Sequence, residues 1–529
     1  NYNVNLQEGE ILDVAGVLSF KNLDKDLDLY PIEGNSSIEK EIDLFDRPEE
    51  LELLNTKNVR LNNILGINPD LGKISNWKFK SKKLSVKKNL WQSEKIEFSN
   101  DPYKNTQISV ESKNFKAEII DDKYKFTSKS TFLVFENKIR IPVGKRTISD
   151  QGSVPLKWGV GYDQEKKDGI YIYRSSESYK LFKNLKFRLS PYFLVQRAIR
   201  GKTRSFRAEG SSFLDDKLLQ EINYSDYLSL EADIKGEIFN WEPNIKMSLG
   251  TLNIKRLDDS FSLDANISRN LYSNSNETEN FSVRTGFYGQ YLKDNIYTAY
   301  GTKILADYSS EKKDVYDRYS LILDIGDFQS KSLNTNVLLG LDRYGINASW
   351  NRKYRLIDLN DKSLIYNSKF NKTPTLVDNA LYFDKKISTS AYQYSNNTSQ
   401  SIFLAGIGPS LKLGNLKKNF LDYSYLSVMP EFILKRGESP FAFDNFNSHS
   451  RVKFNLQQQI YGPILLAIKT DFIISNKSED YSQFKNIEYS VDISRRAYKV
   501  SFYYKNNNSF GMKFNIFNFG SRSFDKSSI

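Results

Sequence analysis

The chain has 529 residues, 76 basic and 64 acidic side chains, a formal charge of +12, no cysteine and one histidine. The missing cysteines exclude disulfides, thiolate nucleophiles, Fe–S clusters and Cys-based zinc sites, and a single histidine excludes His₂ and His₃ metal centres. Aromatic residues make up 14% of the chain while mean hydropathy is only −0.55, an average that suits strands alternating apolar and polar residues.

The charge is unevenly placed. Residues 1–55 carry fourteen acidic and four basic side chains, and residues 56–150 carry ten and twenty. No zinc finger, RNA-recognition signature or basic-region heptad accompanies the basic excess, so nucleic acid is not an expected partner. No charge-free apolar run reaches the ~18–20 residues of a membrane helix.

Residues 1–76 read as an acidic extension that belongs in part to the sheet after it. Asp46-Arg47-Pro48-Glu49-Glu50 predicts a helix start. Asp24, Asp26 and Asp28 have the opening spacing of a calcium loop, but the glycine and glutamate that such a loop needs are missing. From Trp77 to Val143 the pattern predicts strands of about 5–8 residues in a small sheet domain, residues 77–150. Ile108/Val110, Phe115/Ala117/Ile119, Phe132/Val134 and Ile139/Ile141/Val143 each alternate with polar residues. The polar stretch Gly144–Gly152 reads as a hinge.

From about residue 155 the dominant signal is period two, which puts successive side chains on opposite sides of a ribbon. Leu228, Leu230, Ala232, Ile234, Gly236 and Ile238 share one face, against Ser229, Glu231, Asp233, Lys235 and Glu237. Tyr319, Leu321, Leu323 and Ile325 alternate with Arg318, Ser320 and Asp324, and the pattern returns at 281–291, 466–475 and 498–504. Turn signals lie at Lys293-Asp294-Asn295, Tyr344-Gly345 and Gly462-Pro463. Ala198–Tyr224 and Asp358–Thr398 break the rhythm and read as long loops. Ribbons of about 10–12 residues have the length that crosses a bilayer at a tilt. Residues 151–529 are therefore expected to form a large antiparallel transmembrane β-barrel of about 18–20 strands or more. Tyr291, Tyr300, Tyr308, Trp350 and Tyr461 are candidates for interfacial girdles. A soluble barrel or propeller is the alternative.

Three segments carry a family likeness: Trp77-Lys-Phe-Lys-Ser-Lys-Lys-Leu-Ser-Val86; Trp91 with Ile96-Glu-Phe-Ser-Asn-Asp-Pro102; and Thr131-Phe-Leu-Val-Phe-Glu-Asn-Lys-Ile-Arg-Ile-Pro142. Segment 77–146 resembles the periplasmic β-jelly-roll of the lipopolysaccharide-assembly outer-membrane protein family (LptD, also called OstA), most nearly its divergent cyanobacterial version. The order, a small β domain and then a large barrel, agrees. The resemblance implies an all-β outer-membrane translocon, its N-terminal domain in the periplasm. That domain would receive lipopolysaccharide from a periplasmic bridge protein of the same jelly-roll type and pass it to a lateral barrel seam. It also implies the barrel-assembly machinery and a plug lipoprotein as partners. The proteobacterial members join their two domains by disulfides, which this chain cannot form.

On this reading Ile108, Val110, Phe115, Ala117, Ile119, Phe132, Val134, Ile139 and Ile141 line a groove that shields acyl chains, worth ~0.8 kcal/mol per buried CH₂. Lys78, Lys80, Lys82 and Lys83 are rim candidates for anionic headgroups. Pro155 and Pro191 match the family's gate prolines by position, since proline lacks the ladder donor. Gly511, Phe514 and Ile516 resemble the terminal-strand signal for barrel assembly. His449, between Ser448 and Ser450, has no flanking hydrolase motif. No phosphate loop or dinucleotide fingerprint is present, so no catalytic residue, metal site or cofactor is expected. A porin or passive channel of the same barrel class, and less favourably a soluble all-β binding protein, are the competing functional readings.

Overall fold

The computed structural model describes residues 2–3, 8–19 and 76–516, apart from 154–157, 361–371, 373–376 and gaps of one to three residues. The protein is all-β, built of two large antiparallel sheets in succession. Among the described residues no helix is long and apolar enough to cross a membrane.

The first sheet has eight strands in chain order. They are β1 (Tyr2–Asn3), β2 (Glu8–Ser19), β3 (Asn76–Lys87), β4 (Leu90–Ser99), β5 (Ile108–Ile120), β6 (Lys123–Phe135), β7 (Ile139–Ser149) and β8 (Gly152–Ser153). The main strands run 10–13 residues, longer than the alternation suggested. Gly144–Ser149 lies in β7, and Gly152 opens β8, so most of the expected hinge is sheet. The expected helix start at Asp46–Glu50 lies outside the described residues.

The greater strand length is accommodated by a bend. Each ladder skips residues at about the same level. Between β2 and β3 the pairing passes from Leu12↔Lys83 to Val14↔Ser81. Between β4 and β5 it passes from Ser93↔Phe115 to Lys95↔Lys113, and between β5 and β6 from Lys113↔Ser130 to Lys116↔Thr127. Asp13 and Asn114 adopt φ +48° and +49° there. The register is the same on both sides of each gap, so the gaps are matched on the two strands, and the left-handed residues there kink the strands and shift their side-chain phase. In β5 the shift returns Phe115 and Ala117 to the face of Ile108, Val110 and Ser112. A row of buried hydroxyls, Ser81, Ser93, Ser112, Ser128 and Thr131, follows the bend. Ser81 Oγ and Ser93 Oγ lie 2.8 Å apart, and both approach the carbonyl of Lys95 that the interrupted ladder leaves over. Buried polar groups need such partners.

The second sheet opens with β9 (Trp158–Asp163), β10 (Gly169–Arg174), β11 (Tyr179–Phe182) and β12 (Leu185–Phe193). After a short helix α1 (Val195–Arg200) and a two-stranded ribbon, β13 (Lys202–Thr203) with β14 (Gln220–Glu221), it continues with β15 (Leu228–Gly236) and β16 (Glu242–Leu249). The long strands follow: β17 (Phe261–Ser275), β18 (Glu279–Lys293), β19 (Ile296–Lys312), β20 (Val315–Lys331), β21 (Leu338–Asp358), β22 (Ala380–Tyr394), β23 (Ser399–Leu413) and β24 (Ser424–Gly437). It ends with β25 (Arg451–Tyr461), β26 (Ile464–Ile473), β27 (Phe484–Ser494), β28 (Tyr498–Lys505) and β29 (Ser509–Ile516). From β12 on, each strand of this sheet pairs antiparallel with the next. β10 and β11 both run antiparallel to β12, at Tyr173↔Tyr192 and then Tyr179↔Phe187, so they are two halves of one broken strand. The nineteen segments of this sheet therefore fill eighteen strand positions.

Two expectations are corrected here. Tyr344-Gly345 is not a turn but mid-strand in β21, because a Cβ at Gly345 would press to 2.9 Å on the Tyr392 ring of the neighbouring strand. Asp358–Thr398 is not one loop, since it contains β22. Ala198–Tyr224 adds no strand to the large sheet. The predicted faces are those observed. In β20, Ser320, Asp324 and Phe328 lie on a covered face, and Tyr319, Leu321, Leu323 and Ile325 lie on an open one.

If the bend rests on positive φ at Asn114, Asn114→Gly should leave the first sheet within about 0.5 kcal/mol of wild type, and Asn114→Val should cost ~1–3 kcal/mol. Chemical denaturation of the two variants checks this.

Candidate functional site

One face of the bent sheet carries a buried apolar cluster, called the trough. Phe79, Leu84, Ile96, Phe115 and Ala117 make its buried centre, flanked by Val14, Val86, Trp91, Phe98 and Phe126. Phe115 packs on Phe98 and Phe126, with ring centroids 5.2 and 5.9 Å away. The sequence grouping holds for Phe115 and Ala117. It fails for Phe132 and Val134, which pair directly with Glu111 and Ser109 and so share their face, opposite Val110 and Ile108. Leu133 and Phe135 take their place. Phe132 instead lies under the Arg140 guanidinium, which pairs with Glu111. Ile139 is 63% exposed, and Ile119 of β5 pairs with Tyr124 of β6. Of the rim lysines, Lys83 pairs with Glu10 at 2.8 Å with both groups exposed, and such a pair contributes little. Lys78 donates to the Tyr103 carbonyl at 3.2 Å. Burial lowers the pKa of its ammonium, Lys80 adds to that, and Asp101 and Glu97 oppose it.

At one end of the trough the two sheets join. The turn between β27 and β28 inserts Arg496, Ala497 and Tyr498 against the first sheet. Arg496 is buried, and its Nη2 lies 2.6 Å from Asp101 Oδ2, with Nε at 3.1 Å from Oδ1. Nη2 also donates to the Asn105 carbonyl at 2.9 Å, and the guanidinium sits 4.6 Å from the Tyr103 ring centre. Asp101 further accepts the backbone N–H of Gln107 at 3.0 Å, and Gln107 Oε1 accepts that of Ala497 at 3.1 Å. Around this ion pair Ile108, Leu133, Phe135, Ala497 and Tyr498 form one apolar cluster, joined by Tyr103, Val110, Ile141 and Val500. Ile108, Val110 and Ile141 therefore pack at the junction, not in the trough cluster. Arg495 pairs with Glu136 at 3.0 Å on the rim. Nothing local in the sequence signals this contact.

The covered face of the second sheet is lined with paired charges. Arg451 joins Glu431 at 2.9 Å and Asp471 at 3.1 Å, Lys453 reaches Glu431 at 3.5 Å, and Lys469 and Lys505 reach Glu488 at 3.1 and 3.2 Å. The β24–β25 connection lies at the end of the sheet away from the junction, because strand direction alternates. It folds back over this face. Asp444 accepts from Arg343 Nη1 at 2.9 Å, from Tyr394 at 3.0 Å and from Ser439, while Arg343 also binds Asp324. Phe441 and Phe443 pack into the cluster of Ile296, Ala299, Phe328, Tyr392 and Tyr394.

Pro191 lies in β12 opposite Leu230, at the level where β10 stops and before β11 resumes. Its missing donor accords with the break. Pro155 lies outside the described residues. Gly511, Phe514 and Ile516 fall in the last strand, opposite Tyr503, Val500 and Tyr498.

These features define an all-β protein whose small bent sheet is fastened to a large strand meander. Residues 71–520 match the model of a family described as a protein of unknown function (DUF3769), and the chain belongs to that family. No curated protein matches it.

Asp444→Ala should free the β24–β25 connection, because it leaves Tyr394 and Ser439 without their shared acceptor; breaking a buried pair costs ~3–5 kcal/mol. Limited proteolysis should then cut between residues 438 and 450, while the native chain should resist there.

Proposed function

We propose that the second sheet closes, β9 against β29, into an outer-membrane β-barrel. The first sheet is then a periplasmic jelly-roll that passes lipopolysaccharide to a seam between those strands. The observation that carries this reading is the junction: an apolar trough ends on the hairpin next to the last strand.

Several features support the membrane part. On the open face of β20 and β21 the Asp317–Arg352 pair lies at one level and the opposed Asp327 and Asp342 at another, with only Tyr319, Leu321, Leu323 and Ile325 of β20 between them on that face. Ten residues at ~3.3 Å, tilted by about 45°, span ~23 Å along a bilayer normal, near the ~25 Å apolar band of such barrels. Tyr272, Phe281, Tyr308, Tyr319 and Trp350 meet in an aromatic row along one edge of that band. An even strand number suits a bacterial barrel.

The transport part is supported by the trough, the charged inner wall and the broken strand beside Pro191, which weakens the ladder one strand in from that seam. A passive porin is disfavoured by the β24–β25 connection, which covers the inner wall. The protein acts without catalysis. Its partners are lipopolysaccharide, a bridge protein of the same jelly-roll type and the barrel-assembly machinery. The β24–β25 connection fills part of the space that a plug lipoprotein would take.

Photo-crosslinking residues at Leu84 and Phe115 should capture lipopolysaccharide in cells, while one at Val134, on the opposite face, should not. Equal capture at all three sites, or at none, would refute the trough. The purified protein should need detergent to stay monodisperse, and monodispersity without detergent would refute the membrane reading.

A further inference from the structure

Among the described residues the first sheet is held to the second at two places. The chain itself leaves β8, paired to the last residues of β7 at Ile148↔Ser153, and enters β9. The Arg496 contact lies at the other end of β7, where Ile139 pairs with Phe135. A covalent tether at one end leaves a sheet free to swing, and a second attachment at the far end removes that freedom. The second attachment has the chemistry for the task. Arg496 and Asp101 are both buried, a planar guanidinium meets a carboxylate through two donors, and Nη2 and both carboxylate oxygens also bond backbone groups.

We propose that Arg496 is a positioning residue: it locks the end of the trough to the β27–β28 turn, so that cargo leaving the trough meets the inner wall beside β29. The lock itself stands on the contacts alone. Its role in transfer rests on the lipopolysaccharide reading. Arg496 reaches cargo only through this geometry.

The absence of cysteine makes the test clean, because introduced thiols are the only ones present. Spin labels on Glu94→Cys in the first sheet and Tyr461→Cys at the junction end of the second report the distance between the sheets in the full-length protein. Arg496→Gln should broaden that distance distribution at least about twofold, since the buried Asp101 is left without its counter-charge. Capture of lipopolysaccharide by a photo-crosslinker at Leu84 should persist in Arg496→Gln, and capture at Tyr503 on the inner wall of β28 should fall. Bridging Glu136→Cys to Arg495→Cys with a short bis-maleimide, in the Arg496→Gln background without the label cysteines, should restore capture at Tyr503. A variant that is merely misfolded would not recover on bridging.

An unchanged distribution in Arg496→Gln overturns the lock. A broadened distribution with unchanged capture at Tyr503 overturns its role in transfer, as does a failure of the bridge to rescue. Absence of capture at Leu84 in the native chain overturns the functional reading instead, while the distance distribution still decides the lock.

Discussion

A strand assigns each residue to one of two faces, and a single unpaired residue reverses the assignment for everything after it. The first sheet depends on this constraint. Matched gaps in the ladders, with left-handed residues at Asp13 and Asn114, occur at one level. They bend the sheet and keep its apolar side chains on the same side before and after the bend. Without the left-handed kink at Asn114 in β5, Phe115 and Ala117 would join Ser109 and Glu111, and the trough would lose its centre. The buried hydroxyl row is the counterpart of those gaps, since interrupted ladders leave backbone groups that must be satisfied within an apolar surface.

In the second sheet β20 keeps its phase against β21, while shifts such as those at Asn270/Tyr272 and Arg355/Ile357 lie toward strand ends, so the faces of β20 could be read from the sequence. Tyr319, Leu321, Leu323 and Ile325 lie together as alternation requires. The long interruption at 198–224 was legible because polar residues there lack any period. Phe132 and Val134 were misassigned because pattern reading assumes an unbroken strand, while the ladders around Ser128–Thr131 are irregular. Tyr344-Gly345 misled because glycine is the usual mark of a turn, whereas here it makes room for an aromatic ring from the next strand.

The junction was not legible at all. Asp101 follows an ordinary strand end, and Arg496 sits in an ordinary hairpin turn. Only the fold brings them together. The same holds for Asp444 and Arg343, whose meeting depends on a connection folding back over the covered face of the second sheet. The sequence offered a puzzle in the missing cysteines. The structure joins the two units by an ion pair inside an apolar collar, which needs no oxidant to form and no reductant to release.

The two halves of that ion pair are 395 residues apart in the chain. Asp101 is made early, and its partner arrives only when the next-to-last hairpin exists. Until then Ile108, Leu133 and Phe135 have no cover from Ala497 and Tyr498, and an unpaired carboxylate lies beside them. Contacts of such separation form late, because the loop they close must be ordered first. Closure at the junction therefore reports that the strand meander is nearly complete, and an unfinished chain carries a sticky, charged end by which it can be told from a finished one.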